Sequence, residues 1–411
     1  MSKRKPFVLL LGPGLLLAAT GVGGGDLATG SLAGSFVGTA ILWAVVVGAA
    51  LKYVVTEGLA RWQLATGETL VEGIVTRVGK GALWIFLLYF LLWTFFVGSA
   101  QMSATGVTLH AMIPVFDDPA TGKIVFGIVS GLTGLVLVWL GGYALFETLM
   151  RVFIGIMFVT VVATAIVLWP GTAQVLAGLF VPRIPEAQGA GLGWTVALIG
   201  GVGGTLTVLC YGYWLREEGM TRREDLPACR ADLAIGYTMT AIFGMAMVII
   251  GSSVIVEGSG ADLLVTLSDR LEGVLGVAGK WLFLFGTFGA VFSSLLGVWQ
   301  SVPYLFADCY GLLGPKADRD DVKRVDTAAA PYRAYLVAIA VVPMLGLFFS
   351  FSDVQRLYAI IGAWFFPVLA IVLIVFNGRR TWVGQGFRNG PLGIAALGVV
   401  LAFFIWMFFQ Q

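Results

Sequence analysis

Eleven runs of mostly apolar residues, each bounded by charge, proline or glycine, dominate this sequence. A helix needs about 20 such residues to cross the hydrocarbon core of a bilayer. The runs lie near 7–36, 38–60, 82–111, 124–143, 145–169, 191–215, 231–256, 275–305, 333–350, 354–377 and 390–409. The expected fold class is an all-α integral membrane protein with 11 transmembrane helices. The chain is 58% apolar and only 12% charged, whereas soluble domains average roughly 45–50% apolar and about 25% charged. A soluble core does not hide that much apolar surface, so a cytosolic enzyme, a secreted disulfide scaffold and a nucleic-acid binder are all poor readings.

The polar connections at 216–230 and 308–333 are loops rather than folding units, so residues 1–411 read as a single transmembrane domain. Met1 to Pro6 carries Lys3, Arg4 and Lys5, and the apolar stretch after it runs into a glycine cluster with no small-residue cleavage site. It reads as a retained first helix. Counted on alternating sides, 19 Lys and Arg fall on the amino-terminal side and 5 on the other, with Lys52 inside the second run. By the positive-inside rule the amino terminus is cytoplasmic and the carboxyl terminus outside, in a plasma (inner) membrane. Cys210, Cys229 and Cys309 lack CxxC spacing and His110 is the only histidine, so zinc and redox chemistry are not expected, nor any resident cofactor. A net charge of +2 suggests no nucleic-acid partner; the expected partners are a small ion and the lipid bilayer.

Two glycine clusters interrupt long apolar runs near mid-membrane: Gly21 to Asp26 in helix one and Gly200 to Thr205 in helix six. They open successive five-helix blocks, repeat one at about 7–169 and repeat two at about 191–377, followed by an extra helix at about 390–409. Five is odd, so the second block enters the membrane with opposite orientation, as in an inverted repeat with discontinuous first helices. Corresponding interruptions point to the substrate site, here Gly23, Gly24, Gly25 and Asp26 facing Gly203, Gly204, Thr205 and Thr207. Asp26 either ligates a cation or caps the following half-helix at Ala28 and Thr29. Exposed N–H groups at the glycines offer a second chemistry, in which a small carboxylate or bicarbonate sits between the breaks.

Gly12-Pro13, Leu27-Ala28-Thr29, Leu42-Trp43, Thr66-Gly67, Gly98-Ser99-Ala100 and Leu179-Phe180-Val181-Pro182 resemble the Nramp metal-ion transporters over most of the chain. The resemblance implies the LeuT-like fold, a 5+5 inverted repeat with broken helices 1 and 6 and an eleventh helix appended. It also implies secondary active transport, by symport, of a divalent metal ion. Aligned from Gly12-Pro13, the family's Asp-Pro-Gly-Asn becomes Gly23-Gly24-Gly25-Asp26, and its Met-Pro-His falls on Gly204-Thr205-Leu206. The thioether is absent and Asp26 is the metal-ligand candidate. An oxygen-only set suits a hard ion such as Mg²⁺ better than Mn²⁺ or Fe²⁺. Leu91-Leu92-Trp93-Thr94-Phe95-Phe96 has no group to carry a proton where the family has acidic residues. Ser293 and Ser294, with carbonyls of Gly21 and Val22, resemble the sodium site of LeuT-like transporters, so Na⁺ and H⁺ are both candidate coupling ions.

A channel is the rival class, because glycine-rich segments also line pores. No HExxH, GxSxG or ATP-binding motif is present, so no enzyme is expected. Among other polar residues, Tyr211 and Tyr213 read as interfacial anchors rather than as lining the pathway, Tyr89 is open between those two readings, Lys52 reads as snorkelling or meeting Glu57, and His110 as a wet interfacial residue. Glu147 and Arg151 read as an ion pair rather than a gate, and the 216–230 stretch as a solvated inner loop whose Arg222 and Arg223 could contact lipid phosphate or form part of an inner gate.

Overall fold

The computed structural model describes residues 12–185, 190–255, 260–314 and 326–410. Lys3, Arg4, Lys5 and the start of the first apolar run lie outside them, as does part of the 308–333 loop. Nearly everything described is helical. Nine helical runs are long and apolar enough to cross a membrane among these residues; one of them, Asp26–Thr66, holds parts of two expected spans, and Pro391–Trp406 is a shorter apolar helix. The described part of each of the eleven expected segments therefore falls mainly on helix.

Local signals set where helices begin and end. Thr69 and Glu72 form a capping box that starts Leu70–Arg77, and the Asp118 side chain accepts the Ala120 and Thr121 N–H groups at the start of Pro119–Val167. That run contains two spans, Pro119–Gly141 and Leu145–Val167. They return along one face of the eighth span, where Phe153 stacks edge-on with Phe292 at 6.1 Å and the Trp299 indole donates to the Gly131 carbonyl at 3.1 Å. The eighth span follows a kink at Gly276, whose φ is 70°.

The first span is built from Pro13–Gly21, a π-helical stretch Val22–Thr29, and Gly30–Val37. Its interruption is present but differs in kind from a chain break. The turns widen while the helix continues, so backbone groups in the bilayer core keep partners without a ligand. The sixth span does open. Ala190–Gly201 ends, Gly203 and Gly204 take φ of 70° and 85°, and a 3₁₀ turn Leu206–Cys210 leads into Tyr211–Glu217. Left-handed φ at two consecutive positions is glycine's territory, which is why the run of glycines permits the break.

Candidate functional site between the first and sixth spans

The two interruptions touch. A Cβ placed on Gly21 would lie 2.4 Å from the Gly204 nitrogen, so only glycine permits this approach of the backbones. Asp26 and Thr205 are fully buried at the contact. Both Asp26 carboxylate oxygens accept the Gly203 N–H at 3.3 Å, across to the sixth span. This corrects the capping alternative, because the carboxylate serves the opposite break rather than Ala28 and Thr29.

The second correction concerns Lys52. It neither snorkels nor meets Glu57, which pairs instead with Arg61 and Arg230. Lys52 is fully buried, and its Nζ donates to the Gly200 carbonyl at 2.7 Å and to the carbonyls of Val202 and Gly204. The Phe366 ring lies 5.1 Å below it. The opened sixth span is thus satisfied from two sides, with a carboxylate taking a donor and an ammonium taking three acceptors. In a membrane interior, unpaired backbone groups cost several kcal/mol each. Lys52 carried one sequence signal, a charge inside an apolar run, which is a functional hypothesis by default.

The remaining candidates divide. The Thr205 hydroxyl accepts the Trp93 indole N–H at 2.7 Å and so braces spans three and six. The Thr207 hydroxyl is buried without a hydrogen-bond partner, and a Cβ on Gly204 would lie 2.6 Å from it. Gly23, Gly24 and Gly25 lie in the π-helical stretch. At Gly23, where the resemblance places an acidic ligand, an added Cβ would meet Ser294 Cβ at 2.5 Å and Gln101 Oε1 at 2.8 Å. Gln101 was missed by the sequence reading. It is fully buried on the third span and both of its amide atoms lack a partner.

Of the sodium-site candidates, Ser294 reaches the first span and donates to the Thr20 carbonyl, next to Gly21 and Val22. Ser293 instead bonds the preceding turn at Ala290. Among the described residues no three His, Cys, Asp or Glu side chains gather as a metal cage.

Tyr211 and Tyr213 are buried rather than interfacial, and donate to Asp232 at 3.1 Å and Asp308 at 2.6 Å. Tyr89 donates to the Ile361 carbonyl at 2.7 Å. His110 is buried against Gly122, not wet. Glu147 and Arg151 form the expected pair. Arg223 donates to the Ala65 carbonyl at 2.9 Å, which ties the loop to the end of the second span.

The sequence profile described as "Natural resistance-associated macrophage protein-like" matches residues 14–409. The chain belongs to the Nramp family. It is 26% identical to an uncharacterized protein of Pasteurella multocida, over 70% of this chain and 67% of that protein. It is 28% identical to the divalent metal cation transporter MntH of Klebsiella pneumoniae, over 59% of this chain and 58% of that protein. The match to MntH of Aeromonas hydrophila has 23% identity over 98% and 95% of the two chains. Among solved structures, a mutant of the Eremococcus coleocola manganese transporter superposes with a TM-score of 0.74 at 16% identity, covering 99% of this chain and 88% of that one. MhsT in complex with L-phenylalanine superposes with a TM-score of 0.67 at 14% identity, covering 97% and 98%. This Nramp chain has the LeuT-like fold and is a membrane transporter, not an enzyme.

Proposed function

We propose that this Nramp protein carries a small, hard divalent cation of the Mg²⁺ class across the membrane by alternating access, driven by an ion gradient. The observation that carries the reading is the fully buried carboxylate of Asp26 at the seam where the two interrupted spans touch. A site lined by oxygen and without thioether favours hard cations. With Asp26 as its one charged ligand, the cargo would keep several waters, as Mg²⁺ does readily. The unpartnered oxygens of Gln101 and Thr207 are the neutral ligands at hand.

The small-anion alternative has less to stand on, because the N–H it would use, that of Gly203, already faces the protein's own carboxylate. The relatives named as divalent metal cation transporters support a metal cargo. We place the protein in a bacterial inner membrane with its amino terminus in the cytoplasm and its carboxyl terminus outside. Coupling to H⁺ or to Na⁺ near Ser294 and Thr20 is part of the same proposal.

Purified protein in liposomes, assayed for Mg²⁺ and Mn²⁺ uptake under separate sodium and pH gradients, tests it. Saturable Mg²⁺ uptake that is lost in Asp26→Asn is the expected result. Undiminished metal uptake in Asp26→Asn, or accumulation of bicarbonate without metal flux, would overturn the cation reading.

A further inference from the structure

Lys52 is used by neither the family resemblance nor the cargo reading. Its ammonium has three N–H donors, and each meets a carbonyl of the opened sixth span, at Gly200, Val202 and Gly204. Among the described residues no carboxylate lies within ion-pair distance of it; the ion pairs found are formed by other residues. Its charge is met by carbonyl dipoles, by the face of Phe366 at 5.1 Å and, beyond ion-pair distance, by the Asp26 carboxylate. Carbonyl clusters that replace a hydration shell are how membrane proteins hold a free monovalent ion, and unwound half-helices supply such carbonyls in transporters.

We propose that the Gly200, Val202 and Gly204 carbonyls form a monovalent-cation site whose resident ion is the Lys52 ammonium, tethered to the second span. The chain then supplies covalently a charge that would otherwise be a free ion, and the second and sixth spans stay joined while the ammonium is seated. The inference concerns what fills the carbonyls, so it holds or fails independently of which cargo is carried.

Lys52→Ala removes three methylenes and the ammonium, which propylammonium supplies in kind. Thermal unfolding of purified wild type and Lys52→Ala is measured in N-methylglucamine chloride with added ammonium, potassium, sodium or propylammonium chloride, with propanol as the neutral control. Wild type is expected to melt alike in all. Lys52→Ala is expected to melt lower and to recover, with saturation, in propylammonium or a small inorganic cation but not in propanol. Lys52→Met keeps most of the stem, one atom short, without the charge; it is expected to be destabilised and to recover less than Lys52→Ala in every cation, because its stem fills the space through which they would enter. A Lys52→Ala protein that is indifferent to every cation overturns the proposal, as does one that stays unfolded in all of them while Lys52→Met folds. No outcome depends on metal transport, so a failure here leaves the cargo reading standing and the reverse also holds.

Discussion

Gly23 stands where the resemblance to the family puts its first acidic ligand, and its surroundings explain why a simple substitution will not supply one. Ser294 and Gln101 already fill the space a side chain would need. Gly23→Asp is expected to destabilise the protein by about 1–3 kcal/mol through overpacking, and pairing it with Gln101→Ala and Ser294→Gly is expected to recover part of that loss; denaturation of the single and triple variants checks it. Gln101 separates a ligand from a packing residue. Burying an amide without partners costs about 1–3 kcal/mol, so Gln101→Leu is expected to leave stability unchanged or raised while weakening Mg²⁺ uptake. A variant equally stable and equally active removes Gln101 from the cargo path. Asp26 was legible in the sequence because it is the one carboxylate beside a glycine cluster mid-membrane. The seat of Lys52 was not, because its partners are backbone carbonyls some 150 positions away, and backbone oxygens leave no mark in a sequence.

At the scale of elements, both interruptions were readable as glycine clusters at corresponding places, but their different forms were not. A run of glycines lowers the cost of leaving regular helix without specifying what replaces it. In the first span the surroundings favour a π-helical stretch; in the sixth, two left-handed glycines open the chain, and Asp26 and Lys52 absorb the freed groups. The intolerance of Gly21 to any side chain follows from the same contact. Gly21→Ala places a methyl 2.4 Å from the Gly204 backbone nitrogen, where no flexible side chain can yield. It is expected to cost at least the 1–3 kcal/mol typical of overpacking, and more than an alanine at Gly155, where an added Cβ meets nothing within 4 Å. Similar losses at the two positions would contradict the tight seam between the spans.

For the whole molecule, the fold came through in the sequence as span count and repeat order, which depend on hydropathy and glycine placement. The fastening of one end did not, since it rests on long-range polar pairs. At the end of the bundle where Lys and Arg crowd, Tyr213 and Thr69 both donate to Asp308, at 2.6 and 3.2 Å. Arg216 bonds Glu72 at 2.8 Å and the Gly67 carbonyl at 3.0 Å. Asp232 takes the Gly14 N–H at 2.6 Å and the Tyr211 hydroxyl at 3.1 Å. These bonds join the start of the first span, the second half of the sixth, the seventh, and the end of the eighth. With Asp26 and Lys52 also buried, these bonds fasten this end, and under the alternating-access proposal they part together. The chain holds its own reporters here, for Cys210 and Cys309 are free and buried beside the cluster. Removing a hydrogen bond to a charged partner is worth about 1.5–3 kcal/mol, so Tyr213→Phe is expected to raise maleimide labelling of Cys210 and Cys309 by about tenfold or more. A peptide-resolved labelling rate equal to that of wild type, in a variant that melts at the same temperature, would mean that the Tyr213 hydroxyl does not hold this end closed.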